Sequence, residues 1–216
     1  MSLYSGGLLP PIERICRSLS ADEPTIPSDR RSKLEELADY FIDRRQRKQP
    51  CQVVAICTHN SRRSHFTQLW LAIAADYYQL KGIETFSGGT EATALHPHAV
   101  AALRRAGLDV REGIGTTNPR YPIRWHEKMP PYVASSKVFD AAPNPQRDFA
   151  AVMVCSAAAA DCPFVPGADH RFAIPYDDPK VADGTPQQEE VYDDRFREIG
   201  RDMLFVMSTV ARHGHD

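Results

Sequence analysis

Apolar residues along this chain alternate between two patterns. Four short segments, at 52–56, 83–87, 151–155 and 171–175, have the length of strands, and 52–56 and 151–155 are nearly continuous in apolar residues. The stretches between them repeat at helical spacing. Residues 64–80 carry Phe66, Leu69, Trp70, Ile73, Ala74 and Tyr77 on one stripe, and 97–106 stops at Gly107, a fitting residue just past a helix end. After the last run, Thr185-Pro186-Gln187-Gln188 reads as a capping box with proline at the first helical position. It opens a helix whose stripe holds Val191, Phe196, Ile199, Met203 and Val206. Upstream, 29–48 predicts an amphipathic helix through Leu34, Leu37, Ala38, Phe41 and Ile42. Its basic end, Arg44-Arg45-Gln46-Arg47-Lys48, is expected to be solvated.

Strands alternating with helices predict an α/β fold: a four-stranded parallel sheet with helices on both faces. Residues 1–50 form an N-terminal helical extension and 51–216 the main domain. Residues 113–149 hold six prolines and little periodicity. So long a connection is expected to be functional or mobile, as a pocket wall or a docking surface.

Composition narrows the class only a little. The chain has 216 residues, 42% hydrophobic and 25% charged, the profile of an ordinary globular protein. A net charge of −2 gives no sign of nucleic acid binding. No basic segment followed by an apolar block opens the chain, and its longest clean apolar stretch, Leu69 to Ala75, is too short for a membrane span. Five cysteines, an odd number, argue for a reducing cytoplasm and working thiols rather than a disulfide framework. Cys16 and Cys51 are expected to be structural. The eight histidines show no metal spacing, so no metal or cofactor is expected, and His96 and His98 read as a helix start.

The chemistry gathers after the strands. Cys57-Thr58-His59-Asn60-Ser61-Arg62-Arg63-Ser64 follows the run Val53-Val54-Ala55-Ile56 and precedes a helix. Backbone amides of such a loop and the helix N-terminus make a socket for a tetrahedral oxyanion. Arg63 adds a planar fork for two oxygens. A thiol, with an ordinary pKa of about 8.5, becomes a thiolate nucleophile where such positive potential surrounds it. Ser64 can donate to the Cys57 sulfur, and Asn60 suits a left-handed kink. A second run ends at Cys155, and Cys162 follows after six residues. That spacing is wrong for common zinc pairs and suits a dithiol, or two buried structural cysteines. A third run leads to Asp177-Asp178-Pro179, where either acid is placed to protonate a leaving oxygen. In open α/β sheets, sites form at the carboxyl ends of strands. Cys57, Ser87, Cys155 and Asp178 all lie at or beyond predicted strand ends.

Over residues 51–210 the chain resembles the low-molecular-weight protein tyrosine phosphatase superfamily, and within it the thioredoxin-coupled arsenate reductases. The likeness rests on Cys57-x5-Arg63-Ser64, Phe86-Ser87-Gly88-Gly89-Thr90, Leu95-His96-Pro97, Cys155-x6-Cys162-Pro163 and Asp178-Pro179. The resemblance implies Cys57 as nucleophile, residues 58–64 with Arg63 as the oxyanion cradle, and Asp178 as general acid. Its reductase branch implies Cys155 and Cys162 as a disulfide relay emptied by thioredoxin. The alternative is a phosphomonoester or tyrosine phosphatase acting through a Cys57 phosphocysteine. Several positions depart from the pattern. Many reductases have cysteine at 62 and glycine at 59. Gln68 replaces a glutamate that helps hold potassium in some, so no potassium site is expected. Lys180-Val181 stand where the phosphatase branch usually has tyrosines.

Overall fold

The computed structural model describes residues 7–156, 158 and 164–213. Helices α1 (Pro10–Ala21) and α2 (Ser28–Gln46) precede strand β1 (Cys51–Cys57), helix α3 (Arg63–Tyr77), strand β2 (Ile83–Gly89) and helix α4 (Pro97–Arg105). Short strands β3 (Asp109–Val110), β4 (Tyr121–Arg124) and β5 (Tyr132–Ala134) follow, then β6 (Phe149–Met153), β7 (Ala168–Ala173) and the long helix α5 (Gln188–His213).

The main sheet has strand order β2-β1-β6-β7, and every pairing in it is parallel. All five residues of β6 are buried, so both of its faces are covered, as a near-continuous apolar strand requires. Helix α3 packs on β1 and β2, α2 reaches β1 and β7, and α5 lies against α1, α2, α3 and α4. The sheet is thus flanked by helices, and all the carboxyl ends of its strands meet at one edge.

Several expectations are corrected. Helix α3 is buried well beyond one stripe: Ser64, His65, Thr67 and Gln68 are also shut away from water. Gln68 is covered by the connection that precedes β6, whose Tyr132 OH donates to its Oε1 at 2.8 Å. That connection is not structureless. Its short strands form an antiparallel sheet ordered β3-β4-β5. At two to four residues each, they are too short to show alternation. The basic end of α2 is not wholly solvated either, because Arg44 is buried and donates to Pro50 O, Asp148 O and Asp169. The capping box at 185–188 does not form. Helix α5 starts at Gln188, Thr185 Oγ1 bonds back to Ala182 O, and Gln188 Oε1 accepts from Gly184 N. Helix α1 was not anticipated. It buries Ile12, Cys16 and Leu19 in the same hydrophobic cluster as the sheet. Strands β6 and β7 begin two to three residues before their predicted starts.

Candidate active site

Cys57 is the last residue of β1 and is buried. Its Sγ lies 3.1 Å from Ser64 Oγ, on the first turn of α3. Ser64 Oγ accepts from Asn60 Nδ2 at 2.9 Å, which leaves its own proton to point at the sulfur. Asn60 has φ +44°, a left-handed turn that lets the loop double back. Its Oδ1 accepts the Lys137 amide at 2.9 Å. One run of hydrogen bonds therefore reaches from the long connection to the sulfur.

The loop is held from outside through its carbonyls. Cys57 O accepts from Thr90 N, and Thr58 O from Glu91 N and Thr90 Oγ1. His59 O accepts from Ser136 Oγ and Thr93 Oγ1, and Ser61 O from His96 N. The amides of residues 58–62 donate to no acceptor among the described residues. Carbonyls turned outward and amides left over are what an anion nest needs. Gly89 makes this possible: a Cβ there would sit 2.6 Å from Thr58 O and 2.7 Å from Asn60 N.

The two arginines part company. Arg63 donates through Nη1 to Tyr176 O at 2.9 Å and through Nη2 to Asp178 Oδ2 at 2.6 Å. Nucleophile loop and acid loop are thereby joined. Asp178 Oδ1 accepts from Lys180 N, while Asp177 is 96% exposed at its side chain and lies 3.6 Å from Arg195. Of the two acids, Asp178 is the one against the loop arginine. Arg62 leaves the socket. Its Nε donates to Tyr192 OH at 2.7 Å and its Nη2 to Asp183 Oδ2 at 3.2 Å. The side chain of His59 also points outward, half exposed, 3.8 Å from Glu91. Only the backbones of residues 59 and 62 are placed to serve the cradle.

Cys155 is buried two residues past β6. Its Sγ is 3.6 Å from Thr58 Oγ1 and accepts from Ala158 N at 3.3 Å. A second thiol thus stands at the rim of the Cys57 loop. Cys162 lies outside the described residues. Cys16 and Cys51 are buried elsewhere, and burial pushes the Cys16 thiol up to about 12 and raises that of Cys51. Both are therefore protonated and inert at neutral pH.

No family model matches the chain. Among curated proteins it is 30% identical to the arsenate reductase of Bacillus licheniformis over 146 residues, 67% of this chain and 86% of that protein. The chain belongs to the arsenate reductase family. The arsenate reductase of Bacillus subtilis is 29% identical over a similar span, 67% of this chain and 86% of that protein. Among solved structures, a low-molecular-weight phosphotyrosine phosphatase from Vibrio cholerae matches with TM-score 0.49 and 16% identity, over 73% of this chain and 95% of that one. A low-molecular-weight protein tyrosine phosphatase from T. tengcongensis gives 0.48 and 18%, over 73% and 98%.

This member of the arsenate reductase family carries two features beside the socket that its sequence did not announce. One is a strut. His96, His98 and Asp183 have ligand atoms within 4.8 Å of one another, a composition that suits a metal. Yet Arg62 and Tyr192 already occupy both Asp183 oxygens, and Gln188 Nε2 meets His98 Nδ1. The Arg62 charge also opposes a dication, and with burial it lowers the His96 pKa. The cluster ties α4, the Asp-Pro segment and α5 to the loop. The other feature is a buried polar floor behind the loop. His65 is fully buried, with Nε2 3.0 Å from Asn60 O, and burial and then Lys137 drive its pKa down to about 3. It is neutral at physiological pH. The Gly88-Gly89 pair at the end of β2 was the one sequence signal for this floor, because only glycine lets backbone approach so closely. A Cβ on Gly88 would meet Phe139 Cα at 2.3 Å.

Proposed function

We propose that this protein reduces arsenate to arsenite through Cys57 and a relay of Cys155 and Cys162. The observation that carries the reading is the second thiol, Cys155, hydrogen-bonded at 3.6 Å to Thr58 of the nucleophile loop. A phosphatase cycle has no use for it.

Arsenate enters the amide nest as a tetrahedral oxyanion, and Arg63 takes two of its oxygens. The Cys57 thiolate attacks arsenic and an oxygen leaves as water, protonated by Asp178. Cys155, as thiolate, then attacks Cys57 Sγ. The sulfur–arsenic bond breaks, and its electron pair leaves with arsenic as arsenite. Two thiols have supplied the two electrons, and a Cys57–Cys155 disulfide remains. Cys162 attacks Cys155 and frees Cys57. The resulting Cys155–Cys162 disulfide is passed to thioredoxin. Such a cycle belongs in a reducing cytoplasm. The catalytic unit is 51–216, with 1–50 as its extension.

The test is arsenate-dependent NADPH consumption with thioredoxin and thioredoxin reductase. Wild type should turn over continuously. Cys155→Ser and Cys162→Ser should each fall to a single turnover or less. The competing reading is a phosphomonoester phosphatase, for which the Arg63–Asp178 pair would serve equally. It wins if Cys155→Ser keeps full turnover on p-nitrophenyl phosphate while wild type consumes no NADPH with arsenate.

A further inference from the structure

We propose that Arg62 is a positioning residue for the general acid: its pair with Asp183 holds the segment 178–183 over the loop while Arg63 turns from Asp178 to the bound oxyanion. The proposal rests on the assignment of Asp178 as general acid and Arg63 as anion clamp, but not on whether the substrate is arsenate or a phosphomonoester.

Asp178 sits on neither a strand nor a long helix. It caps the single 3₁₀ turn Pro179–Ala182, with its Oδ1 accepting from Lys180 N at 3.1 Å and its carbonyl from Val181 N at 3.3 Å. Asp183 closes the other end, where its amide donates to Lys180 O at 3.0 Å. The two carboxylates thus stand at the ends of one short turn, and moving one end moves the other. Pro179 and Ala182 are buried under the turn, while Lys180 and Val181 face water. So short a helical piece has little stability of its own and depends on what holds it. Neighbouring arginines of the loop hold its two ends. Arg63 Nη2 donates to Asp178 Oδ2 at 2.6 Å, and Arg62 Nη2 to Asp183 Oδ2 at 3.2 Å.

The two holds differ in what the reaction does to them. Arg63 also donates through Nη1 to Tyr176 O at 2.9 Å, and in the proposed cycle its fork turns to two oxygens of the substrate. Its grip on Asp178 therefore loosens at the moment when the acid is needed. Arg62 has no such second duty. Its side chain leaves the socket and is only 10% exposed. Its Nε donates to Tyr192 OH at 2.7 Å, and that hydroxyl donates to Asp183 Oδ1, also at 2.7 Å. Tyr192 is wholly buried on α5. Arginine, tyrosine and aspartate thus close a ring of hydrogen bonds, anchored in the long helix, that anion binding leaves alone. An exposed ion pair would contribute little, but this one is largely out of water and has both carboxylate oxygens bonded. The backbone of residue 62 belongs to the nest, so one residue keeps the acid segment in register with the loop that holds the anion.

The test is a double-mutant cycle between Arg62 and Asp178. Arg62→Met, Asp178→Asn and the double variant are assayed with arsenate in the thioredoxin-coupled system, and with phenyl phosphate, whose poor leaving group needs the same proton. Arg62→Met is expected to lower kcat/KM about 10- to 100-fold. In the Asp178→Asn background it should cost nothing further, because the group it positions is gone. Inhibition by inorganic phosphate should stay as in wild type, since Arg63 and the amides are intact, and Arg62→Lys should recover part of the lost rate. An equal loss with and without Asp178, or a parallel loss of phosphate inhibition, overturns the proposal, for either marks a merely structural arginine. So does an Asp178→Asn variant as fast as wild type, which would leave no acid to position. Should Arg62→Met fail to fold, Asp183→Asn goes through the same cycle with the same expectations. Turnover of phenyl phosphate without turnover of arsenate sinks the reductase reading alone, and the cycle on phenyl phosphate still decides the role of Arg62.

Discussion

Ser64 shows how much of the site's chemistry depends on which atom donates. Its oxygen accepts from Asn60, so its proton goes to Cys57 Sγ. A hydrogen bond to a charged group contributes about 1.5–3 kcal/mol. Ser64→Ala should therefore slow turnover about 10- to 100-fold. Ser64→Thr, which keeps the hydroxyl, should slow it less, and kcat/KM of the two variants checks both. His65 makes a different claim, on stability. The unfolded chain binds its proton near the ordinary value of 6.5, the folded chain only near 3. Between those values the unfolded state holds more protons, so stability falls as pH is lowered, by about 1.4 kcal/mol per unit. Urea denaturation at several pH values should show a steep acid loss in wild type and a shallower one in His65→Gln. Cys57, Arg63 and Asp178 were legible in the sequence because strand-loop-helix order and an Asp-Pro step limit where they can point. His65 was not. Nothing local tells a buried histidine from a solvated one when the residues that cover it are distant in sequence.

At the scale of elements, periodicity served well where an element is long and failed where it is short or doubly covered. Strand β1 and helix α4 lie within a residue or two of their expected bounds, since each has one clear apolar pattern and a clear stop. Strands β3 to β5 were missed because two to four residues carry no period. Helix α1 was not singled out, although Ile12, Ile15, Cys16 and Leu19 recur at helical spacing, and α1, α3 and α5 meet closely. The meeting point is Gly200 on α5, where a Cβ would fall 2.4 Å from Trp70 Cε2 and 2.8 Å from Leu19 Cδ1. Alanine is worth about 1 kcal/mol more than glycine in a helix interior, whereas overpacking costs about 1–3 kcal/mol. The indole is fully buried and has no room to yield. Gly200→Ala should therefore lower the urea midpoint despite its helix propensity, and Gly200→Leu should lower it much further. A midpoint that rises in Gly200→Ala would show that the three helices can spread at little cost.

For the molecule as a whole, the question is what helices α1 and α2 do for the candidate site. Arg30 on α2 gives an answer that can be tested. Its Nε pairs with the wholly buried Asp202 at 2.9 Å, its Nη1 donates to Pro175 O at 2.6 Å, and its guanidinium lies 4.2 Å from the Tyr176 ring centre. Tyr176 in turn donates to Asp202 and offers its carbonyl to Arg63. Helix α2 thus grips the strand-to-loop corner that carries Asp178. Removing one partner of a buried ion pair costs about 3–5 kcal/mol. Arg201 still covers the other Asp202 oxygen, so Arg30→Met belongs at the low end, about 3 kcal/mol. If α2 only adds stability, the folded fraction of Arg30→Met will show wild-type kcat and KM. If α2 also positions the acid loop, kcat will fall while KM for the oxyanion holds, because the amide nest is untouched. We expect the second result. A single-turnover assay should trace the loss to the first step, at which the proposed cycle has Asp178 give up its proton.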